Sequence, residues 1–229
     1  MSVSNETAAV SALPGDLVGE GLACRRGERL VLARLDFRLA AGGALVLTGH
    51  NGTGKSSLLR LLATLLPPAA GRLLWHGEPV AADVTRYRGA LHYLGHLDAA
   101  KPAMTPRETL HFWCTLHGAA HPAIDMGLMT FGLDRVADWP CRWLSAGQRR
   151  RLALARLIAA PAPIWLLDEP TAALDRDGEA RLVAAIAAHR AGGGRVALAT
   201  HQPIDVPQAL SISLDDYAVQ PDDPLAMLW

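Results

Sequence analysis

The chain has 229 residues, half of them apolar, with 22 basic and 22 acidic side chains and a formal net charge of zero. This allows one large domain or two small ones with a sizeable core, and the neutral balance argues against broad electrostatic attraction to nucleic acid. Cys24, Cys114 and Cys141 are far apart, with neither metal spacing nor an even framework, as expected of reduced cytosolic thiols. No basic-then-apolar leader opens the sequence, and no apolar run approaches the roughly 18 residues of a membrane span, so a soluble chain is expected.

Residues 1–17 read as a loose polar tail. From Val18 to Leu39, short apolar segments separated by Gly27 and Glu28 read as an antiparallel hairpin. Arg25 and Arg26 stand where an aromatic ring often stacks on adenine, and a guanidinium can stack on a planar ring too. A solvated surface arginine is an equal alternative.

Ala44 to Thr48 is a short apolar run that reads as a buried strand. Gly49-His50-Asn51-Gly52-Thr53-Gly54-Lys55-Ser56 follows, with the spacing of a phosphate-binding loop, and then Ser57 and a leucine-rich helix from Lys55 to Leu66 stopped by Pro67 and Pro68. The glycines let backbone N–H groups turn inward around a phosphate, and the helix N-terminus adds its positive dipole end. Lys55 would reach the terminal phosphates of a nucleotide and the Ser56 hydroxyl would ligate Mg²⁺. Lysine occurs at only two positions, 55 and 101, beside twenty arginines, so its place here is unlike an accident of composition.

The stretch GRLLWHGEPV reads as strand, turn and strand, and Ala90 to Leu94 as a strand ending before Gly95 and His96. Thr105-Pro106-Arg107-Glu108 is a capping box with proline at the first helical position, opening a helix to about His117. A second helix spans Pro122 to about Phe131. Ser145 can cap a third, with Gln148 three residues on, running to Pro161. Residues 97–160 are thus expected to be mainly helical.

Pro163 to Leu167 reads as a buried strand carrying Asp168 and Glu169 at its end, and Arg195 to Thr200 as another ending in His201. A carboxylate at position 168 can hold Mg²⁺ opposite Ser56, and Glu169 is placed to act as general base for a water attacking a phosphate. In a parallel sheet the strand ends converge, so His201 and His96 are expected near the same phosphate. Ser145 and Gly147 present a second phosphate-binding helix N-terminus, economically explained if it serves a nucleotide held by another copy. Arg149, Arg150 and Arg151 read as a solvated or lobe-contact face. His111, His117 and His121 are too interrupted by Gly118 and Pro122 to argue strongly for a metal. The acidic stretch from Asp215 onward suggests no structure.

Taken together, GHNGTGKSS, LSAGQRRRLALAR, IWLLDEP, AALD and THQ, in that order over about residues 20–215, resemble the ATP-binding-cassette (ABC) ATPases. The resemblance implies an α/β P-loop NTPase core with an antiparallel β subdomain and an inserted α-helical lobe. It divides the chain into a tail (1–17), an ATPase domain (18–216, with the lobe at about 97–160) and a second tail (217–229). It implies ATP and Mg²⁺ as ligands. Gly49 to Ser57 would hold phosphate, with Ser56 and Asp168 at the metal, Glu169 as base and His201 as switch histidine. Ser145, Gly147 and Gln148 would serve the opposite nucleotide, with Asp175 communicating between protomers. The implied partners are a second copy and integral membrane permease subunits, with the chain peripheral on the cytoplasmic face of the inner membrane, and no nucleic acid. Two positions depart from the pattern: His96 stands where the family has glutamine, and the adenine-stacking aromatic is missing.

Within that family the segments CRRGER, YLGH, DRDGEARL and THQP resemble the ATP-binding subunits of the haem exporter in cytochrome c maturation. Another ABC exporter or importer, a non-transport ABC ATPase, and a simple P-loop kinase are the alternatives. The last does not explain LSAGQ.

Overall fold

The structure is a computed structural model that describes residues 15–96, 98, 100–118 and 122–219. Two sheets organise it. The first is antiparallel, in the order β2-β1-β4-β5, built from β1 (Leu17–Arg26), β2 (Arg29–Leu39), β4 (Ala70–Trp75) and β5 (Glu78–Pro79). Its hairpin turns at Gly27, whose φ of 62° is the left-handed region that a glycine enters without steric cost. β1 begins at a fully buried Leu17, so the expected N-terminal tail loses its last residue to the sheet.

The second sheet is parallel throughout, in the order β6-β7-β8-β3-β9, from β3 (Ala44–Thr48), β6 (Leu91–Leu94), β7 (Ile164–Asp168), β8 (Arg195–Ala199) and β9 (Leu210–Ser213). Its central strands are unbroken apolar runs because both faces are covered. Side chains alternate between two cores with the period of a strand. Leu45, Leu47, Ile164, Leu166, Ala197 and Ala199 face α1 (Lys55–Leu62) and the antiparallel sheet. Ala44, Val46, Trp165, Leu167, Val196 and Leu198 face the other helices. Thus α1 lies sandwiched between the sheets, touching β1, β7 and β8.

α1 ends four residues earlier than the proline pair suggests. Thr64 takes the left-handed conformation, φ 57°. Its N–H donates to Leu61 O at 2.9 Å, and the Leu65 N–H to Arg60 O at 2.8 Å. This is a Schellman close with threonine in the place glycine usually takes. Arg88, in α2 (Val84–Gly89), donates to both Thr64 Oγ1 (2.8 Å) and Thr64 O (2.9 Å), which holds the strained residue in place.

The helical lobe comprises α3 (Pro106–His117), α4 (Pro122–Thr130) and α5 (Ala146–Ala159). Both expected capping boxes form, at Thr105/Glu108 and at Ser145/Gln148. α5 packs against α3, α4, β6 and α6 (Arg176–Ala191), so it joins the lobe to the parallel sheet. At the C-terminal end the acidic stretch is ordered further than its composition suggests. Leu214–Tyr217 forms a 3-10 turn, Ala218 bridges to Leu32 and the Val219 N–H donates to Val31 O at 3.4 Å. The boundary expected at residue 216 therefore falls inside packed structure. Residues 1–14, 119–121 and 220–229, with Leu97 and Ala99, lie outside the described residues, and with them His121.

Candidate functional site

The phosphate loop joins β3 to α1. Gly49, Gly52 and Gly54 have φ values of 132°, 90° and 101°, backbone that an L side chain rarely adopts. A Cβ at Gly54 would also stand 3.2 Å from Val31 Cγ2. Gly54 is the N-cap of α1 and offers no side-chain cap, so the amides of the first turn are left for another partner. Lys55 is buried to 8% exposure, and its Nζ donates to Gly49 O (2.6 Å) and His50 O (3.0 Å). Those carbonyls satisfy the ammonium and hold it over the loop.

A cleft of about 230 Å³ is lined by Asn51, Gly52, Gly54, Lys55, Ser56 and Ser57 of the loop and first helical turn, together with Arg26, Arg60 and Glu169. Arg26, the candidate for stacking on a base, is therefore at the cleft. Polar groups dominate the lining. A larger and mostly apolar groove lies elsewhere, between the end of α1 and β4 (Leu61, Pro67, Leu73, Val80), and carries none of these groups.

Three strand ends come together beside this cleft, which Glu169 lines and which Asp168 and His201 border through Ser56 and Glu169. Asp168 ends β7, and its Oδ1 accepts from the Ser56 hydroxyl at 2.9 Å. Its Oδ2 is buried and has no hydrogen-bond partner among the described residues. An orphaned carboxylate oxygen beside a serine hydroxyl is a hard-oxygen donor set, which fits a divalent cation. Glu169 comes next. Its φ of 48° costs about 1–3 kcal/mol for a non-glycine residue and persists because its backbone is held on both sides. Its N–H donates to Ala199 O (2.9 Å), and its carbonyl accepts from the Ala172 N–H (3.1 Å) and from Arg150 (2.6 Å). The Glu169 carboxylate meets His201 just beyond β8, with Oε2 2.7 Å from Nδ1 and 3.3 Å from the backbone N–H. β7 and β8 are parallel neighbours with Asp168 opposite Ala199, which is why a carboxylate and an imidazole 32 positions apart converge.

The remaining expected residues lie off the cleft. His96 is exposed just after β6 and does not line it. Ser145, Gly147, Gln148 and Asp175 do not line it either. Ser145 Oγ accepts from the Gln148 N–H (3.1 Å), and Gln148 Oε1 from the Ser145 N–H (2.8 Å). Gly147 is required by close packing: a Cβ there would sit 2.9 Å from Ala173 O. Asp175 caps α6 by accepting from the Gly178 N–H at 2.9 Å. That bond, helped by Arg151 at 3.3 Å, holds its carboxyl below the usual aspartate value. His117 packs on His92 and Trp113, and no group of three potential metal ligands exists among the described residues.

Two residues take places that the sequence alone does not suggest. Arg150, read as part of a solvated or lobe-contact face, is 2% exposed and points into the strand ends. Burial against carbonyls far along the chain leaves no periodic trace in a run of three arginines. Asp215 reaches back to the phosphate loop. Its Oδ1 accepts from the His50 N–H at 3.3 Å, and its Oδ2 lies 3.1 Å from His50 Nδ1, a contact that lowers its carboxyl pKa.

The ABC transporter family profile matches residues 32–172. The "Cytochrome c biogenesis ATP-binding export protein CcmA" of Rhodospirillum rubrum is 55% identical over 221 residues, covering 96% of this chain and 95% of that protein. The protein of the same name from Paramagnetospirillum magneticum is 53% identical, covering 90% and 96%. Among solved structures, a putative ABC transporter ATP-binding protein from Pyrococcus furiosus superposes with a TM-score of 0.79 at 22% identity, covering 89% of this chain and all of that one, a likeness of fold. By profile and by relatives alike, the chain belongs to the ABC transporter family and, within it, to the group of the CcmA ATP-binding export proteins.

Proposed function

We propose that the chain is the ATP-binding and ATP-hydrolysing subunit of an exporter in cytochrome c biogenesis, and that haem is the cargo whose handling it drives. The observation that carries the ATPase chemistry is the meeting of the Ser56–Asp168 pair (2.9 Å) and the Glu169–His201 pair (2.7 Å) beside the phosphate loop. The name and high identity of the relatives support the biogenesis role.

In this reading Lys55 leaves the loop carbonyls to neutralise the outer phosphates, and the uncapped amides of α1 bind the remaining oxygens. Ser56 and Asp168 would hold Mg²⁺, which supplies charge neutralisation on the phosphates when bound. The Glu169 carboxylate orients the attacking water and accepts its proton, and His201 fixes that carboxylate from the next strand. Arg26 stacks on the base. Ser145, Gly147 and Gln148 serve the nucleotide of a second copy, and Asp175 lies between the copies. His96, at the base of the lobe, relays the state of the site to the partner. The chain divides into an ATPase core and a lobe at about residues 97–160.

ABC ATP-binding subunits work with membrane permease components, and no helix among the described residues is long and apolar enough to cross a membrane. In this reading the chain docks on permease subunits at the cytoplasmic face of the inner membrane. Installing Lys55→Ala in the cell should abolish covalently haem-bearing c-type cytochromes while leaving b-type cytochromes intact. Normal c-type bands on a haem-stained gel would refute the haem role and leave the ATPase chemistry standing.

A further inference from the structure

Arg150 is the fifth residue of α5, one turn beyond the Ser145 cap, and its guanidinium is buried among carbonyl oxygens. Nη2 donates to Asp168 O (2.9 Å) and Glu169 O (2.6 Å), and Nε to Pro170 O (3.3 Å). Nη1 donates to Gly95 O (3.0 Å) and to Asp98 Oδ1 (3.2 Å). One side chain thus ties α5 to the acidic strand end and to the loop after β6. A planar fork with five donors suits this task, and a lysine ammonium does not.

These partners bear on Glu169 in particular. Its left-handed backbone has to be held from outside, and its carbonyl is one of the two that Arg150 Nη2 grips. Fixing the peptide planes on both sides of Glu169 fixes where its carboxylate points. Because Nη1 of the same guanidinium holds Gly95, next to His96, a shift of that loop or of α5 is transmitted to the Glu169 backbone.

We infer that Arg150 is a positioning residue for Glu169, setting the aim of the carboxylate and linking it to the loop after β6 and to α5. The inference rests on the reading of Glu169 as the base.

The test uses the full-length chain in its transporter assembly, with steady-state ATP hydrolysis, ATP-binding titration and binding-site counting on parent, R150K, R150M and E169Q. R150M should lower kcat per binding site by roughly 10²-fold, the scale of an ångström misplacement. Its KM and ATP affinity should stay within about two-fold, the pattern of an interaction felt only in the transition state. R150K keeps the charge without the fork and should lose about ten-fold. Adding R150M to E169Q should cost nothing further, since the two act through one carboxylate. The inference is overturned if R150K keeps parental kcat per site, a result readable even if R150M fails to fold. It is also overturned if the loss in kcat merely follows the loss of binding-competent protein. Parental turnover by E169Q would overturn the base reading itself, and the inference with it. An inactive E169Q beside fully active arginine variants would overturn the inference alone.

Discussion

Helices α1 and α5 both begin with glycine-bearing sequences suited to phosphate, and they differ in what already occupies their first-turn donors. At α1 the N-cap is a left-handed glycine without a side chain, so the amides of the turn are uncommitted. At α5 the Ser145–Gln148 box takes two of the amides with the helix's own side chains. The first end is built to receive a ligand directly. The second is stable without one, and a nucleotide reaching it must replace contacts already made. Similar sequence signals thus give one end that needs its ligand and one that does not. This suits a site where the first end binds early and the second closes later.

The strongest way to break that contrast is Lys55→Ala. Charge-assisted bonds are worth about 1.5–3 kcal/mol each, so losing those of Lys55 should weaken ATP binding by roughly 10²-fold or more and abolish turnover. Equal binding by mutant and parent in a titration would show that α1 is not the receiving end.

Glu169→Gln should keep ATP binding and lose hydrolysis by roughly 10²–10⁴-fold. With ATP retained, α5 of one copy should meet the nucleotide of another. Size-exclusion runs with ATP should then show a dimer, and a strict monomer at high concentration would argue against the shared site.

A smaller effect is expected from pH, through two histidines. Burial, the largest cause, pushes His92 down to about 3 and His189 to about 4. His92 meets Ala160 O at the C-terminal end of α5, and His189 stacks on Trp165 with ring centroids 3.8 Å apart. Both histidines are neutral in the folded chain and take up protons below about 6.5 when unfolded. Their contribution is therefore full above pH 6.5 and is lost as pH falls, toward about 4 for His189 and about 3 for His92, by up to about 1.4 kcal/mol per pH unit for His92 and less for the more exposed His189. Thermal unfolding at pH 5.5 should come well below that at pH 7.5, with a shallower slope for His92→Gln. An unchanged slope in that variant would remove His92 from the account.

Ser145→Ala should have the smallest effect on the isolated chain. Losing the cap costs about 1 kcal/mol, or roughly 2–4 °C in Tm for a domain of this size, with ATP affinity of the dilute chain unchanged. Should that affinity fall as far as in Lys55→Ala, the two helix ends would share one nucleotide within one copy, and the contrast would collapse.

What was legible in the sequence was local. The phosphate loop, the acidic pair after PIWLL and the two capping boxes each need only a few neighbouring residues to be recognised, and the structure has them where expected. Sheet logic carried one step further and brought His201 to Glu169. The rest depended on contacts between distant segments. Arg150 looks in sequence like its half-buried neighbours Arg149 and Arg151 until β6 and β7 supply carbonyls around it. Asp215 looks like part of an acidic tail until the edge strand β9 delivers it to His50. The close of α1 at Thr64 is held by Arg88 and not by a glycine, so the proline pair marked it too late.

The position of β3 in its sheet also bears on how the chain is made. Its neighbours are β8 and β9, from the far end of the sequence, whereas α3, α4 and α5 pack mainly on one another. Pairing strands so distant closes the largest loops within the parallel sheet, the slow class of event in folding. On the ribosome, the strand that carries the phosphate loop emerges long before either neighbour exists, and the helical lobe can collapse locally in the meantime. A nascent chain therefore has no complete nucleotide site until β8 and β9 have emerged. A product truncated before Arg195 would leave β3 with two open edges, a template for aggregation rather than a slower enzyme.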